Sequence, residues 1–403
     1  MKKHFKTFLF AALTCSLLLG AGLSAEAASK IRIDDTNFAW AVKEYAVEAD
    51  TNDDGYLSKK EAAKIKKMRF FEPRQDIDSF KGIEYFPNLE DFYYRAEYAT
   101  FDYEDINIYT ASTASELNLS GLTKLKRVRI DSRNPYLRKV NLKKCTSLEE
   151  VTINGSRYGC IDTLNLQGCS RLHTLSIWGI DAKKLNLSGL KKLEELNIDV
   201  EKLKVLNMKN CSGLKKATIL SGADLKKVNV KGDKKLEYLR IAADCYLKSL
   251  DLRTNTNLEV LVLHSGLKVD SLDVRKNKKL RKLACYETKI TSLDLSYDNN
   301  IVKVDCHLNE DLTELDVSGC KKLKTLHCHQ TGLTRLNLRK NPDLRYLRCA
   351  DTGLRKLNLK KNKKLEMLNC LGTDIRSLDL SNTRMKDGSK LHCDEGVKVT
   401  FAR

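Results

Sequence analysis

One short triplet recurs thirteen times between Leu117 and Leu380: an aliphatic residue, then Asn or Asp, then a second apolar residue. Successive triplets begin 21 to 24 residues apart, from Leu117-Asn118-Leu119 to Leu378-Asp379-Leu380. About half a period later, most units carry a second apolar segment of the form Leu-x-x-Leu-x-(Ile or Cys). A unit this short has room for two short strands and tight turns, but for no helix of ordinary length.

A single unit of this kind cannot bury its apolar side chains, so neighbouring units must stack and share one continuous core. The sequence therefore predicts a β-rich solenoid of parallel strands over residues 111–380, followed by a C-terminal cap over residues 381–403. The outward side chains of such a stack form long, regular surfaces that suit a large binding partner.

The segment from Leu312 to Cys328 reads LTELDVSGCKKLKTLHC and contains both apolar segments of one unit. It resembles the leucine-rich repeat, in particular the short cysteine-containing repeats of internalin J-like secreted bacterial proteins. The resemblance extends over most of residues 111–393 and implies a leucine-rich repeat fold. It constrains the architecture more than the ligand.

The last position of the second segment changes residue type along the chain. It is Ile or Leu in the units before residue 270 and Cys in the later units. We call these cysteines the Cys ladder, which consists of Cys285, Cys306, Cys328, Cys349, Cys370 and Cys393. Because Ile and Cys interchange there, the position should be buried and apolar, where a free thiol behaves as a small hydrophobe.

Disulfides are the alternative interpretation of these cysteines in an exported chain. Neighbouring ladder cysteines would lie about 5 Å apart, but side chains of parallel, in-register strands point the same way and miss the disulfide geometry. We therefore expect a reduced ladder. Cys145 and Cys169, one unit apart in a turn, are the pair best placed for a disulfide, and the sequence leaves their state open.

The N-terminus predicts export. Three lysines precede the apolar run Phe8–Leu23, and Ala25-Glu26-Ala27 forms a small-x-small cleavage site. Residues 1–27 are therefore interpreted as a signal peptide, and no later stretch is long enough to cross a bilayer. We expect a secreted protein that is extracellular or loosely associated with the cell surface.

Residues 50–61 read DTNDDGYLSKKE and match the twelve-residue calcium loop of an EF-hand. This motif takes side-chain oxygens at loop positions 1, 3, 5, 9 and 12 and a backbone carbonyl at position 7. In loop order, the predicted ligands are Asp50, Asn52, Asp54, Tyr56, Ser58 and Glu61. Gly55 allows the sharp turn at position 6, and both flanking segments carry apolar residues at helical spacing. We predict one bound calcium ion.

Only one such loop is found, whereas helix–loop–helix hands commonly occur in pairs. The loop precedes the first repeat, where the open end of a solenoid needs a polar cap. Secreted leucine-rich repeat proteins of anaerobic Gram-positive bacteria resemble this layout of helix, single calcium loop and lead-in segment, here Gly82–Phe92. Residues 28–110 are therefore predicted to be a small helical, EF-hand-like cap, in which calcium is either regulatory or structural.

Charge is divided along the chain. Residues 28–110 carry 12 basic and 18 acidic side chains, whereas residues 111–403 carry 57 and 34. Paired lysines directly before the first Leu of the second segment form a stripe that we call the Lys edge: Lys191-Lys192, Lys234-Lys235, Lys278-Lys279, Lys321-Lys322 and Lys363-Lys364. This edge supports an alternative function, electrostatic binding of anionic polymers such as wall polymers or sulfated glycans. Nucleic acid is not favoured, because no aromatic platform accompanies the lysines.

Alternation along the second strand should turn the residues between and after its inward positions outward. This face is varied, and its residue types are common at interaction hot spots. The predicted partner-binding residues are Tyr238, Arg240, His264, Tyr286, His307, His327, His329, Tyr346 and Arg348, and His173 and Trp178 belong to the same face.

We therefore predict a secreted, non-enzymatic protein that presents an extended surface to an extracellular protein or glycan, for adhesion or cell-surface interaction. One cluster offers an alternative, because Asp305 beside His327 and His307 beside His329 could hold zinc in a metal-dependent enzyme. The sequence contains no Gly-rich phosphate loop, no His-Glu-x-x-His and no Gly-x-Ser-x-Gly motif. Buried ladder thiols would be poor nucleophiles.

Overall fold

The structure is a computed structural model that describes residues 30–71, 77–96, 113–132, 136–155, 161–247, 250–269, 271–297 and 300–401. The predicted signal peptide, residues 1–27, lies outside this part of the chain and stays a prediction. The described residues form two compact units, one of those up to Leu172 with Ile177–Ile180 and one of His173–Ser176 with those from Asp181 onward.

The first unit begins with two helices, α1 (Thr36–Ala49) and α2 (Lys59–Ala62), and has a 3-10 turn at Ile83–Tyr85. Its strands are β1 (Lys67–Phe71), β2 (Asp91–Ala96), β3 (Glu116–Asn118), β4 (Arg127–Ser132), β5 (Lys139–Asn141), β6 (Glu150–Gly155) and β7 (Thr163–Asn165), and β8 (Thr174–Trp178) has residues in both units. Strands β1, β2, β4 and β6 pair in parallel, as do β3, β5 and β7.

In the second unit every second segment forms a strand, but only some of the triplets do. Its strands are β9 (Lys184–Asn186), β10 (Glu195–Val200), β11 (Val205–Asn207), β12 (Lys216–Ser221), β13 (Lys227–Asn229), β14 (Tyr238–Ala243), β15 (Val260–His264), β16 (Lys282–Cys285), β17 (Ser292–Asp294), β18 (Lys303–Asp305), β19 (Glu314–Asp316), β20 (Thr325–His327), β21 (Tyr346–Arg348), β22 (Met367–Asn369), β23 (Ser377–Asp379), β24 (Leu391–His392) and β25 (Lys398–Thr400). The second-segment strands from β10 to β24 pair in order and in parallel. The predicted parallel-strand solenoid is confirmed.

The ladder position is buried whichever residue occupies it. Ile241 pairs with Leu263, and Leu263 pairs with Cys285, and all three side chains are 0% exposed. Ladder cysteines from Cys285 to Cys370 are buried free thiols, and Cys393 is half-buried. Burial raises the pKa of the Cys328 thiol to about 12, so these groups stay neutral and unreactive at ordinary pH.

Four triplets depart from the predicted pattern. Within the described residues, no strand forms at the triplets that begin with Leu250, Leu272, Leu336 and Leu357. Three of these leucines are nevertheless 6 to 9% exposed, and Leu336 is half-buried. Side-chain packing therefore holds these triplets in the solenoid without a regular hydrogen-bond ladder.

A second buried column, three residues after each triplet, was not recognised from the sequence. Asn255, Asn277, Asn341 and Asn362 are each 0% exposed. Each side-chain amide donates to two backbone carbonyls of the preceding unit; that of Asn277 reaches Leu252 O at 3.0 Å and Asn255 O at 2.8 Å. We call these residues the Asn column. Each of these carbonyls also accepts a backbone N–H within its own turn, so the Asn amide adds a second hydrogen bond, one that joins adjacent units.

Cysteines take the same turn position in other units. The thiol of Cys145 donates to Leu119 O at 3.1 Å, and that of Cys169 donates to Leu142 O at 3.1 Å. Both are free thiols in the structure, which answers the question that the sequence left open. Burial raises their pKa to about 12 and about 11. In this position Cys acts as a hydrogen-bond donor, as Asn does in the later units.

Candidate functional site

Four rings from consecutive units stack along the second unit. Each follows a ladder position: His264 ends β15, and Tyr286, His307 and His329 follow β16, β18 and β20. The ring centroids are 5.1, 4.8 and 4.5 Å apart in that order, with interplanar angles of 20°, 19° and 9°. We call these four residues the ring stack. It arises because in-register parallel strands place equivalent side chains about 5 Å apart, near the separation at which rings stack.

Asp305 orients two imidazoles, that of His307 within the ring stack and that of His327 beside it. One carboxylate oxygen lies 2.6 Å from His307 Nδ1, and the other lies 3.4 Å from His327 Nδ1 on the paired strand. Burial raises the pKa of this carboxyl, but the hydrogen bonds from His327 and His307 outweigh it and lower the pKa to about 2. Asp305 is therefore ionised at neutral pH and accepts Nδ1–H of both rings.

His264 departs from the expected exposure. It was predicted to point outward, yet it is 8% exposed, because Tyr286 covers one ring face and Arg240 Nε donates to its Nε2 at 3.1 Å. Burial, and then the charge of Arg240, lowers the pKa of His264. The neutral ring therefore carries its proton on Nδ1 and donates to Ser265 Oγ at 2.7 Å.

The remaining predicted residues are not members of the ring stack. Arg348 pairs in register with His327 and is exposed. Tyr238 and Tyr346 belong to a different column, at the start of β14 and β21, so the structure does not bring them into the stack. Tyr346 is 39% exposed, and its hydroxyl donates to Glu366 Oε2 at 3.3 Å. His173 and Trp178 lie outside this cluster.

The alternative zinc centre is not supported. The rings of His307 and His329 lie face to face, so their nitrogens, which ligate in the plane of the ring, do not converge on one point. Over the described ranges, no group of three or more His, Cys, Asp or Glu side chains, in this cluster or in the acidic loop, is already arranged to hold a metal ion. Burial, followed by the charges of His307 and His327, lowers the pKa of His329, which favours its neutral form.

The acidic loop connects α1 to α2. Gly55, at φ +82°, donates its N–H to Asp50 Oδ2 at 3.1 Å. Leu57 is 5% exposed, and its carbonyl accepts Ile31 N at 2.8 Å. Lys30 and Ser58 form an antiparallel bridge, which joins the segment before α1 to this loop.

The oxygen donors of this loop are of the type that calcium binds. One observation supports a cation site here: Asp50 Oδ1 is buried without a protein partner. Glu61, however, is 5% exposed and turned toward the backbone, accepting Thr51 N at 2.9 Å and Ser58 N at 3.0 Å. The Ser58 amide is the main cause that lowers the pKa of Glu61 to about 2. An ionised carboxylate is therefore available at loop position 12, although it must exchange these contacts to bind a cation.

The Lys edge is exposed at all five pairs. Some of its charge is already engaged, since Lys322 Nζ donates to Asn300 Oδ1 at 2.9 Å and Lys364 pairs with Asp343. None of the helices within the described residues is long and apolar enough to span a membrane.

Comparison with solved structures identifies the fold. A leucine-rich repeat protein of Leptospira interrogans superposes with a TM-score of 0.52 at 16% identity, over 79% of this chain and 82% of that one. The functional domain of InlJ from Listeria monocytogenes, described as including a cysteine ladder, gives a TM-score of 0.45 at 20% identity over 86% and 76% of the two chains. An internalin of Listeria monocytogenes, InlF, gives 0.44 at 16% identity over 92% and 96%. No protein-family model and no curated protein matches the sequence. The fold is a leucine-rich repeat solenoid.

Proposed function

We propose that this chain is an exported, non-enzymatic leucine-rich repeat protein that binds an extracellular protein through the ring stack and the residues beside it. The observation that carries the proposal is the stack itself, in which four rings lie in fixed register along one face. Export rests on the sequence of residues 1–27, and the binding role on this geometry.

The arrangement suits protein recognition because its side chains lose little conformational entropy when a partner binds. The rings hold each other, Asp305 holds two imidazoles, and Arg240 is tied to His264. Because these side chains are already ordered in the free protein, a partner binds with a smaller entropic cost. Because the rings cover each other's faces, they present ring edges rather than open platforms. Such edges recognise peptide groups and carboxylates better than they stack on sugar rings, which favours a protein over a glycan.

We further propose that Asp50, Asn52, Asp54 and Glu61 hold calcium, with the carbonyl of Tyr56 and the hydroxyl of Ser58. The ion would add positive charge where one carboxylate oxygen is buried without a partner. Because the loop joins α1 to α2 and bridges to Ile31, ion binding would stabilise the cap rather than the ring stack.

The binding proposal can be tested with the mature protein against an array of purified extracellular proteins and glycans. His307→Ala opens a gap in the middle of the stack and should weaken the selected interaction at least tenfold, as truncation of a hot-spot residue does. Lys231→Ala, on an exposed turn outside the stack, is the matched control. A selected partner that binds the His307 variant as tightly as the unchanged protein would refute the proposed face.

A further inference from the structure

A second surface, over the triplets of the later units, plays no part in the proposed function. It contains an open depression of about 650 Å³ that we call the basic groove. Four of its lining side chains are cationic, namely Arg335, Arg339, Arg355 and Lys356, and none is acidic. A volume of this size is in the range of small-ligand sites.

The basic groove lies over two adjacent triplets that form no strand, those beginning at Leu336 and Leu357. The triplets on either side, in β19 and β23, do form strands. Leu336 remains half-buried and lines the groove. The site thus combines a local departure from the regular solenoid surface with four positive charges.

A comparison between units shows why these charges are available. In two earlier units an Arg follows the triplet Asp by two residues and forms a bidentate ion pair with it. Arg253 reaches Asp251 at 2.9 and 2.8 Å, and Arg275 reaches Asp273 at 3.0 and 2.9 Å. Each Arg there is neutralised within its own unit.

In the basic groove the triplet residue is Asn. Asn337 keeps the turn geometry, because its Oδ1 accepts Arg339 N at 3.2 Å as Asp251 Oδ1 accepts Arg253 N at 3.1 Å. It supplies no carboxylate, so the guanidinium of Arg339 loses the partner that Arg253 and Arg275 have. Asn358 repeats the change in the next unit.

No other described residue fully replaces the missing carboxylates. Within the described residues, only Arg355 among the four cations has an ion pair, with Asp374 at 3.7 Å, and these two side chains are 82% and 64% exposed. An exposed pair at this distance contributes little and is readily exchanged. The basic groove therefore presents at least three uncompensated charges.

We propose that the basic groove binds the sulfate or phosphate groups of an anionic glycan polymer. Guanidinium groups match the oxygen geometry of both anions and can bind them with two parallel hydrogen bonds. The groove is open, so a polymer chain can pass through it, and the exposed Lys edge can add long-range attraction. This site is separate from the ring stack and does not depend on it.

The test uses the mature protein and fluorescence anisotropy with four probes: a heparin-derived octasaccharide, a phosphorylated octasaccharide, a neutral dextran oligomer and oligouridylate. We expect binding to the sulfated or the phosphorylated oligomer, which identifies the anion, and none to dextran. Asn337→Asp should weaken binding about tenfold, since it gives Arg339 the internal partner found in earlier units without removing any cation. Asp occupies the same triplet position at Asp251 and Asp273, so this variant should fold, and its melting temperature confirms it.

Two further variants separate the groove from general charge. Arg335→Gln with Arg339→Gln should weaken binding at least tenfold, whereas Arg253→Gln with Arg275→Gln should change it less than about twofold, because those arginines are already paired. Equal losses in both double variants, an unaffected Asn337→Asp variant, stronger binding of oligouridylate than of either oligomer, or no binding of the charged probes would each overturn the proposal.

Discussion

Asp233 should make the stability of the protein fall as pH rises, and replacing it with Asn should remove that dependence. Asp233 occupies the turn position of the Asn column and is 0% exposed. Its Oδ1 accepts Cys211 N at 2.8 Å, whereas its Oδ2 is buried without a partner. Burial raises its pKa from 3.8 to about 8, opposed only in part by the Cys211 amide.

The sign follows from the two states. Below about pH 4 the Asp233 carboxyl is protonated in both the folded and the unfolded chain. Its ionisation therefore does not lower the free energy of unfolding there. Between about pH 4 and the folded pKa of about 8, the unfolded chain loses the proton and the folded chain keeps it. Each pH unit in this window costs about 1.4 kcal/mol, or about 4 kcal/mol between pH 4 and pH 7.

The free energy of unfolding should be measured at pH 4 and pH 7 by urea denaturation monitored by far-UV circular dichroism. From pH 4 to pH 7, the free energy of unfolding of the unchanged protein should fall by up to about 4 kcal/mol relative to that of Asp233→Asn. An Asn here can also donate to a backbone carbonyl, as Asn255 does to Asp233 O at 3.0 Å.

Asn277→Asp is the converse variant and should introduce the same loss of stability with rising pH. Exposed Asp311→Asn is the control and should leave the pH dependence unchanged. The reasoning fails if Asp233→Asn has the same pH slope as the unchanged protein, or if it destabilises equally at both pH values.

Three other predictions address the calcium loop, the Cys ladder and the edge of the binding face. Calcium should bind the loop with a Kd of about 10⁻⁴ to 10⁻³ M by calorimetry; Glu61→Gln should remove the heat and Asp53→Asn should keep it, and no calcium-dependent heat or melting shift at about 10 mM would exclude the site. Cys349→Ser should lower the free energy of unfolding by roughly 1–3 kcal/mol and Cys349→Val by less than about 1.5 kcal/mol; rapid labelling of native Cys349 by a thiol reagent would contradict its burial. Arg348→Ala or Tyr346→Ala should cost about 1–2 kcal/mol of affinity for the partner that the array identifies, whereas Lys278, Lys279, Lys321 and Lys322 changed together to Gln should mainly slow association; the opposite order would favour the Lys edge as the binding site.

The repeat period was enough to predict the solenoid, because a unit of 21 to 24 residues leaves few ways to bury two apolar segments. The exchange of Ile with Cys at one position likewise predicted buried thiols at Cys306 and Cys328, and both are 0% exposed. Periodicity determines which side of a strand a residue occupies. It also placed Asp305 beside His327, which the strand register confirms.

Periodicity does not determine what a side chain meets once it is there. His264 was expected to be exposed and is instead covered by Tyr286 and Arg240, which come from neighbouring units. The Asn column was missed because an Asn in a turn is usually read as a surface residue, and only its distance to carbonyls of the preceding unit shows that it is a buried donor. The sequence by itself determined the repeat, its parallel stacking and the inward side of each strand, since these depend on local alternation. The tertiary structure alone decided the ring stack, the burial of Asp233 and the unpaired charge of Arg339, since these depend on contacts between residues of different units, or on the turn that each unit adopts.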